Sequence, residues 1–175
     1  MPLRVERLED AVPYSFDCGR DEQNQHLHER AFHDQEQQLS MTYLLQQDGL
    51  TAGYVTVCMD ALPLTRAERG PEIRYQHVGA LKLAQLGIDT RYQGRGFGTT
   101  AVRTVVRLAQ RVGDIAGCRY ITVDAQPDLV EWYANQGFKR NELRQSQRIA
   151  EAVRYGRDPS RIPVSMRFDI RDYLA

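Results

Sequence analysis

The segment that most restricts what this chain can become is LGIDTRYQGRGFGTTAV, residues 86–102. It is entered from ALKLAQLGID (80–89), apolar enough for a central strand buried on both faces. Gly87 inside that strand predicts a bulge or a close backbone approach. It is left through a helix over about Thr99–Ala116, where Ala101, Val102, Val105, Leu108, Ala109 and Val112 keep helical spacing. Between them Gly94, Gly96 and Gly98 alternate. A helix N-terminus presents unpaired N–H groups and partial positive charge, and glycines let backbone close on an anion without a Cβ in the way. A strand, a glycine-rich turn and a long helix therefore suit phosphate or diphosphate oxygens, with Arg91 and Arg95 adding charge. Two phosphate loops are excluded. No GxxxxGK run followed by Ser or Thr exists, and Gly94-Arg95-Gly96-Phe97-Gly98-Thr99 lacks the last glycine of the dinucleotide fingerprint and an acidic residue ending the next strand about 20 positions on.

The remaining elements follow by pattern. LRVERL (3–8) alternates as a first strand, FDCGRDEQ turns into a helix running to about Gln38 with Asp21 as N-cap, and MTYLLQQ and TAGYVTVCMDAL flank Asp48-Gly49 as a hairpin. Residues 63–77 suit a loop with a short helix. RYITVDA (119–125) is a strand, Pro127 opens a helix ending at Gly137, a strand starts at Phe138, and PVSMRFDI is the last strand. Segment 144–162 is polar and basic and has no assigned element. Strands alternating with helices after an N-terminal hairpin make a mixed α/β layer fold.

Length and composition limit the function classes. One domain of 175 residues buries roughly 70% of its extended surface. No apolar run approaches the roughly 18 residues of a membrane span, and MPLRVERLEDAV holds no stretch fit for a signal peptide, so a cytoplasmic location without membrane contact is expected. Cys18, Cys58 and Cys118 are too widely spaced for a disulfide framework or a metal pair. His26 and His33 would share a helix face about 10 Å apart, too far for one metal ion, so no metal site is expected. Net charge is zero, but residues 1–90 carry −6 and residues 91–175 carry +6. Only Lys82 and Lys139 are lysines; the remaining cations are arginines, whose planar fork suits phosphate oxygens. Arg103, Arg107 and Arg111 fall four apart opposite the apolar helix face and read as a solvated stripe.

Gln93-Gly94-Arg95-Gly96-Phe97-Gly98 meets the (Gln/Arg)-x-x-Gly-x-(Gly/Ala) pattern, and VDAQPDLVEWYANQGFK carries aromatic-Tyr-x-x-x-Gly-Phe as Trp132, Tyr133, Gly137 and Phe138. With both motifs about 35 residues apart, the chain resembles the GNAT (GCN5-related) N-acetyltransferases over nearly its whole length. The resemblance implies one acetyltransferase domain over 1–175. It also implies the GNAT fold, a mixed, mostly antiparallel central sheet with splayed middle strands and flanking helices. Its co-substrate is acetyl-CoA, with no metal.

Carried onto this sequence, the resemblance places Gln93, Gly94, Arg95, Gly96, Phe97, Gly98 and Thr99 on the diphosphate. Leu86, Gly87 and Ile88 lie along the pantetheine arm in the manner of an added strand, with an N–H near Ile88 at the thioester oxygen. An amine attacks the acetyl group directly. Tyr133 is the general acid for the CoA thiolate, since a phenol with ordinary pKa near 10 is protonated at neutral pH; the alternative is core packing beside Trp132. The base is open, a carboxylate or a water chain: Asp124 is one candidate, or else a structural cap, while Glu131 lies about 200° round the helix from Tyr133. Cys118 has no histidine nearby in sequence to make it a nucleophile.

The opening YSFDCGRDEQNQHLHERA with SMTYLLQQDGLTAGYVTV is similar to a GNAT branch that includes toxins of toxin–antitoxin pairs, which acetylate the amino group of aminoacyl-tRNA. That likeness adds aminoacyl-tRNA as acceptor and an antitoxin as partner, and family habit adds a homodimer. Other acceptors are small-molecule, peptide or protein amines. Two further readings compete: a non-catalytic CoA-binding module, and a nucleic-acid binder using the basic half, for which zero net charge is a poor match.

Overall fold

The structure, a computed structural model, describes residues 3–12 and 14–174. Met1, Pro2, Pro13 and Ala175, which the single-domain expectation includes, lie outside the described residues. Seven strands form one sheet: β1 (Arg4–Arg7), β2 (Met41–Gln47), β3 (Leu50–Pro63), β4 (His77–Ile88), β5 (Tyr120–Ala125), β6 (Lys139–Arg140) and β7 (Val164–Asp169), in the order β1-β2-β3-β4-β5-β7-β6. The pairs β1·β2, β2·β3, β5·β7 and β6·β7 are antiparallel. This is the mixed, mostly antiparallel α/β architecture anticipated from the family resemblance. Two compact units divide the chain, one of residues 1–58 and 83–108, the other of 59–82 and 109–175.

In the first unit, β2 and β3 are joined through Asp48 (φ 52°) and Gly49 (φ 78°), both left-handed, as a two-residue hairpin turn of matching twist requires. β1 is an edge strand with all four residues exposed, so its alternation hides no face. The expected helix from Asp21 forms as α1 (Asp21–Gln25), a π-helical turn (His26–Arg30) and α2 (Ala31–Glu36). Its thin apolar face, Leu27 and Ala31, packs with Leu8, Val12, Phe16, Leu44 and Tyr54. Polar pairs run beside that cluster: His26 Nε2 lies 3.1 Å from Thr56 Oγ1, which lies 2.8 Å from Thr42 Oγ1. Asp21 is not the cap. Arg20 occupies that position without a side-chain bond, because the polar side chain that serves the preceding turn is Asn24, one turn inside the helix.

In the second unit, Leu62, Leu64, Ala80 and Tyr120 form a buried cluster with Ile73 and Val78 against it. α3 (Arg66–Arg69) is the short helix expected in 63–77, closed by a capping box between Thr65 and Glu68. α4 (Phe97–Ala116), which belongs partly to each unit, ends at Gly117 with φ 76°. The helix after Pro127 begins as a 3-10 turn and continues as α5 (Val130–Asn135). The strand at Phe138 is only the two residues of β6, and α7 (Ile170–Leu174) follows β7.

The unassigned 144–162 segment holds α6 (Glu142–Arg154). Ionic contacts, not an apolar stripe, fix it. Arg144 donates to both carboxylate oxygens of Asp60 (2.7 and 3.0 Å) and to the Ala61 carbonyl (2.7 Å), while the Thr122 hydroxyl donates to Asp60 as well. Burial alone would raise the Asp60 pKa; the hydrogen bonds from Arg144 and Thr122 and the arginine charge outweigh it and hold the carboxyl below its ordinary value. With Arg144 and Asp60 side chains 11% and 17% exposed, removing one partner leaves a largely buried charge alone. Asp60→Ala is expected to cost about 3 kcal/mol and to lower Tm by roughly 10 °C. The double variant with Arg144→Met should recover part of that loss in a thermal scan. A double variant no more stable than the single one would remove the pair from the account.

Candidate functional site

The loop that follows β4 is built from the strand outward. Gly87 and Ile88 are buried and Leu86 is half-buried. A Cβ on Gly87 would sit 2.6 Å from Tyr54 Cε1, and one on Gly53 would sit 3.0 Å from the Gly87 carbonyl oxygen. The glycine expected to mark a close approach does so, against a buried tyrosine ring. Asp89, 1% exposed, ends the strand. Its carboxylate caps the 3-10 turn Thr90–Tyr92 by accepting from the Arg91 N–H at 3.0 Å, and it takes Arg91 Nε and Nη2 at 2.8 Å each. The hydrogen bonds from Arg91 hold that carboxyl at a pKa of about 2, against the opposing effect of burial.

Gln93 then turns back. Its side-chain amide donates to the Ile88 carbonyl at 2.9 Å and to the Cys18 carbonyl at 3.0 Å. Gly94 (φ 72°) and Gly96 (φ 83°) are left-handed and exposed, and a Cβ at either would meet nothing within 4 Å. The chain itself thus sets only a conformational demand there, and the space a side chain would fill is open. α4 starts at Phe97, so the N–H groups of Phe97, Gly98 and Thr99 precede the first helical bond, Thr100 N–H to Gly96 at 3.1 Å. Arg95 is exposed, its guanidinium 5.8 Å from the Tyr92 ring centroid, and Phe97 lies 5.3 Å from the same ring. Left-handed glycines, open space and unpaired amides at the head of a 20-residue helix fit a diphosphate.

Leu86 to Thr99 all belong to the first unit, and Tyr133 to the second. Tyr133 is 5% exposed on α5, edge-on to Trp132 (4.8 Å between centroids) and to Phe138 (5.4 Å). Glu131 on the same helix is exposed. Asp124 is no cap. Arg148 takes both its oxygens, Lys82 Nζ lies 2.7 Å away, and although burial pushes its pKa up, these contacts bring it below the ordinary value. A carboxylate so occupied is a poor proton acceptor. Burial pushes the Cys118 thiol up, which suits packing and not nucleophilic attack. No cluster of three metal-ligating side chains occurs among the described residues, and no helix there is long and apolar enough to cross a membrane.

Asp89, Asp17 and Asn24 are marked by neither motif. The available signal was an acidic residue at the strand end two positions before an arginine.

A family model described as the acetyltransferase (GNAT) family matches residues 6–138. Among solved structures, a Tyr-to-Phe mutant of KacT is 20% identical with a TM-score of 0.80, over 99% of this chain and 98% of that one. AtaT complexed with acetyl-methionyl-tRNAfMet is 20% identical with a TM-score of 0.78, over 99% and 98%. AtaTR bound with acetyl-CoA is 19% identical with a TM-score of 0.75, over 98% and 96%. None of the curated proteins matches the chain by sequence.

Proposed function

The chain belongs to the GNAT acetyltransferase family, and from that premise we propose that it is a single-domain, cytoplasmic N-acetyltransferase carrying the acetyl group of acetyl-CoA to a primary amine. The observation that carries the proposal is the turn at Gly94 and Gly96, left-handed and open, ahead of α4. Acetyl-CoA supplies the activated acetyl group. Gly94, Arg95, Gly96, Phe97, Gly98 and Thr99 hold its diphosphate through backbone amides, with Gln93 shaping the turn. The backbone of Leu86, Gly87 and Ile88 pairs with the pantetheine arm, and the Ile88 N–H stabilises the oxygen on which charge develops. The neutral amine nitrogen attacks the acetyl carbon and its surplus proton passes to water, the carbon–sulfur bond breaks, and Tyr133 Oη gives its proton to the departing sulfur and is reprotonated from solvent. Thiol release from acetyl-CoA, followed across a panel of amines and aminoacyl-tRNAs, tests this; a flat trace for all of them contradicts it.

A narrower acceptor is favoured by one set of observations. The opening FDCG segment resembles the toxin branch, the AtaT structure of similar fold holds acetyl-methionyl-tRNAfMet, and residues 91–175 carry the basic excess. We propose that the acceptor is the amino group of aminoacyl-tRNA, that the enzyme acts as a homodimer, and that a separate antitoxin chain restrains it. Expression of the wild-type chain should then arrest growth, and Tyr133→Phe should relieve the arrest. Normal growth of cells making soluble wild-type protein would remove the toxin reading while leaving the acetyltransferase intact.

A further inference from the structure

The function proposed above leaves the FDCG turn, Phe16–Gly19, without a task, and the structure gives it one. Three hydrogen bonds join it to the strand end and loop that follow β4. The Asp17 N–H donates to Asp89 Oδ2 at 3.2 Å. The Thr90 N–H donates to the Asp17 carbonyl at 2.9 Å. Gln93 Nε2 donates to the Cys18 carbonyl at 3.0 Å. Gly19 is left-handed (φ 77°), and a Cβ there would sit 3.6 Å from Thr90 Cγ2.

The turn is itself held from its far side. Asn24 Oδ1 accepts from the Cys18 N–H at 2.9 Å, Asn24 Nδ2 donates to Asp17 Oδ1 at 2.7 Å, and the Gly19 N–H donates to the same oxygen at 2.8 Å. Beneath it Phe16 and Cys18 are buried in the cluster of Leu8, Leu27 and Tyr54.

We infer that the Asp17–Gly19 turn is a buttress for the diphosphate loop, with Asp89 and Asn24 as positioning residues that fix the loop before coenzyme arrives. The inference rests on the acetyl-CoA reading. Gly94 and Gly96 have the widest backbone freedom in the loop. A loop with two such residues binds well only if something else removes that freedom in advance. Asp89, Gln93 and the FDCG carbonyls anchor residues 89–93, the approach to the glycines, from the strand side and leave the exposed face of the glycines clear. Asn24 reaches the loop through the turn, by its bonds to the Cys18 N–H and to Asp17 Oδ1.

Two variants test this, Asn24→Ala and Asp89→Asn, each read by amide hydrogen exchange without ligand and by steady-state kinetics in acetyl-CoA. Asn24→Ala is expected to raise exchange at Thr90 and Arg91 and to raise KM for acetyl-CoA roughly fivefold, with kcat within about twofold. Asp89→Asn, which places an amide donor where two donors already point, is expected to raise KM at least about tenfold. If Asp89→Asn does not fold, Asn24→Ala alone decides. Unchanged exchange at Thr90 and Arg91 overturns the buttress, as does faster exchange with unmoved KM, or a fall in kcat that matches the rise in KM. Failure of the wild-type protein to bind acetyl-CoA would refute the function instead, and the exchange measurement would still decide whether the turn holds the loop.

Discussion

Replacing Tyr133 with phenylalanine is expected to slow acetyl transfer at least about 100-fold while acetyl-CoA affinity stays within about twofold. The phenol oxygen is the only atom removed. Packing against Trp132 and Phe138 involves the ring, which phenylalanine keeps, so those contacts of the buried residue survive the substitution. A thiolate departing without a proton donor is a poorer leaving group at neutral pH, and that difference exists only in the transition state. The loss therefore belongs in kcat and not in KM. Thiol-release kinetics and coenzyme titration on the same preparation separate the cases. Unchanged turnover would reduce Tyr133 to a core residue. Lost turnover with lost coenzyme binding would point to damage at α5, not to missing acid catalysis.

The second large effect is expected at Gly96. Gly96→Val puts a β-branched residue at φ 83° and fills space that no atom of the chain occupies within 4 Å. Left-handed backbone costs an L-residue about 1–2 kcal/mol, and the methyl groups stand where the diphosphate is proposed to lie. Acetyl-CoA affinity should fall at least about 100-fold, since both the loop's shape and its clearance are lost. The position is exposed and packs against nothing, so Tm should move by only a few degrees. Calorimetric titration with acetyl-CoA beside a thermal scan tests both halves. Retained affinity would place the diphosphate elsewhere.

Much of this was legible because certain residues have few alternatives. Asp48-Gly49 could be little other than a hairpin turn, and both residues are left-handed. Gly87 announced a close approach, now seen as the Tyr54 ring. The apolar face of α4 declared that helix, although it begins at Phe97, two residues before the pattern suggested, because Gly98 reads as loop when it is already helical. What stayed illegible depends on partners distant in sequence. α6 carries ELRQSQRIAEAVR, whose polar face looks solvated until Asp60 and Asp124 are found opposite Arg144 and Arg148. The motif points to Gln93 for the diphosphate and says nothing of its side-chain amide, which donates to two backbone carbonyls, one of them 75 positions away. Asp89 looked like the end of a strand; only the fold brings Asp17 and its neighbours to it.

The central claim is that the backbone amides around Gly94, Gly96 and Gly98 bind the coenzyme's diphosphate. Amide NMR of the labelled protein, titrated in parallel with acetyl-CoA and with S-acetylpantetheine, addresses it most directly, because the second compound lacks the diphosphate. The account predicts large saturable shifts of those three glycine amides with acetyl-CoA, and at least about 100-fold weaker binding of S-acetylpantetheine. Glycine amides that stay in place at saturating acetyl-CoA, or equal affinity for the two compounds, would contradict it.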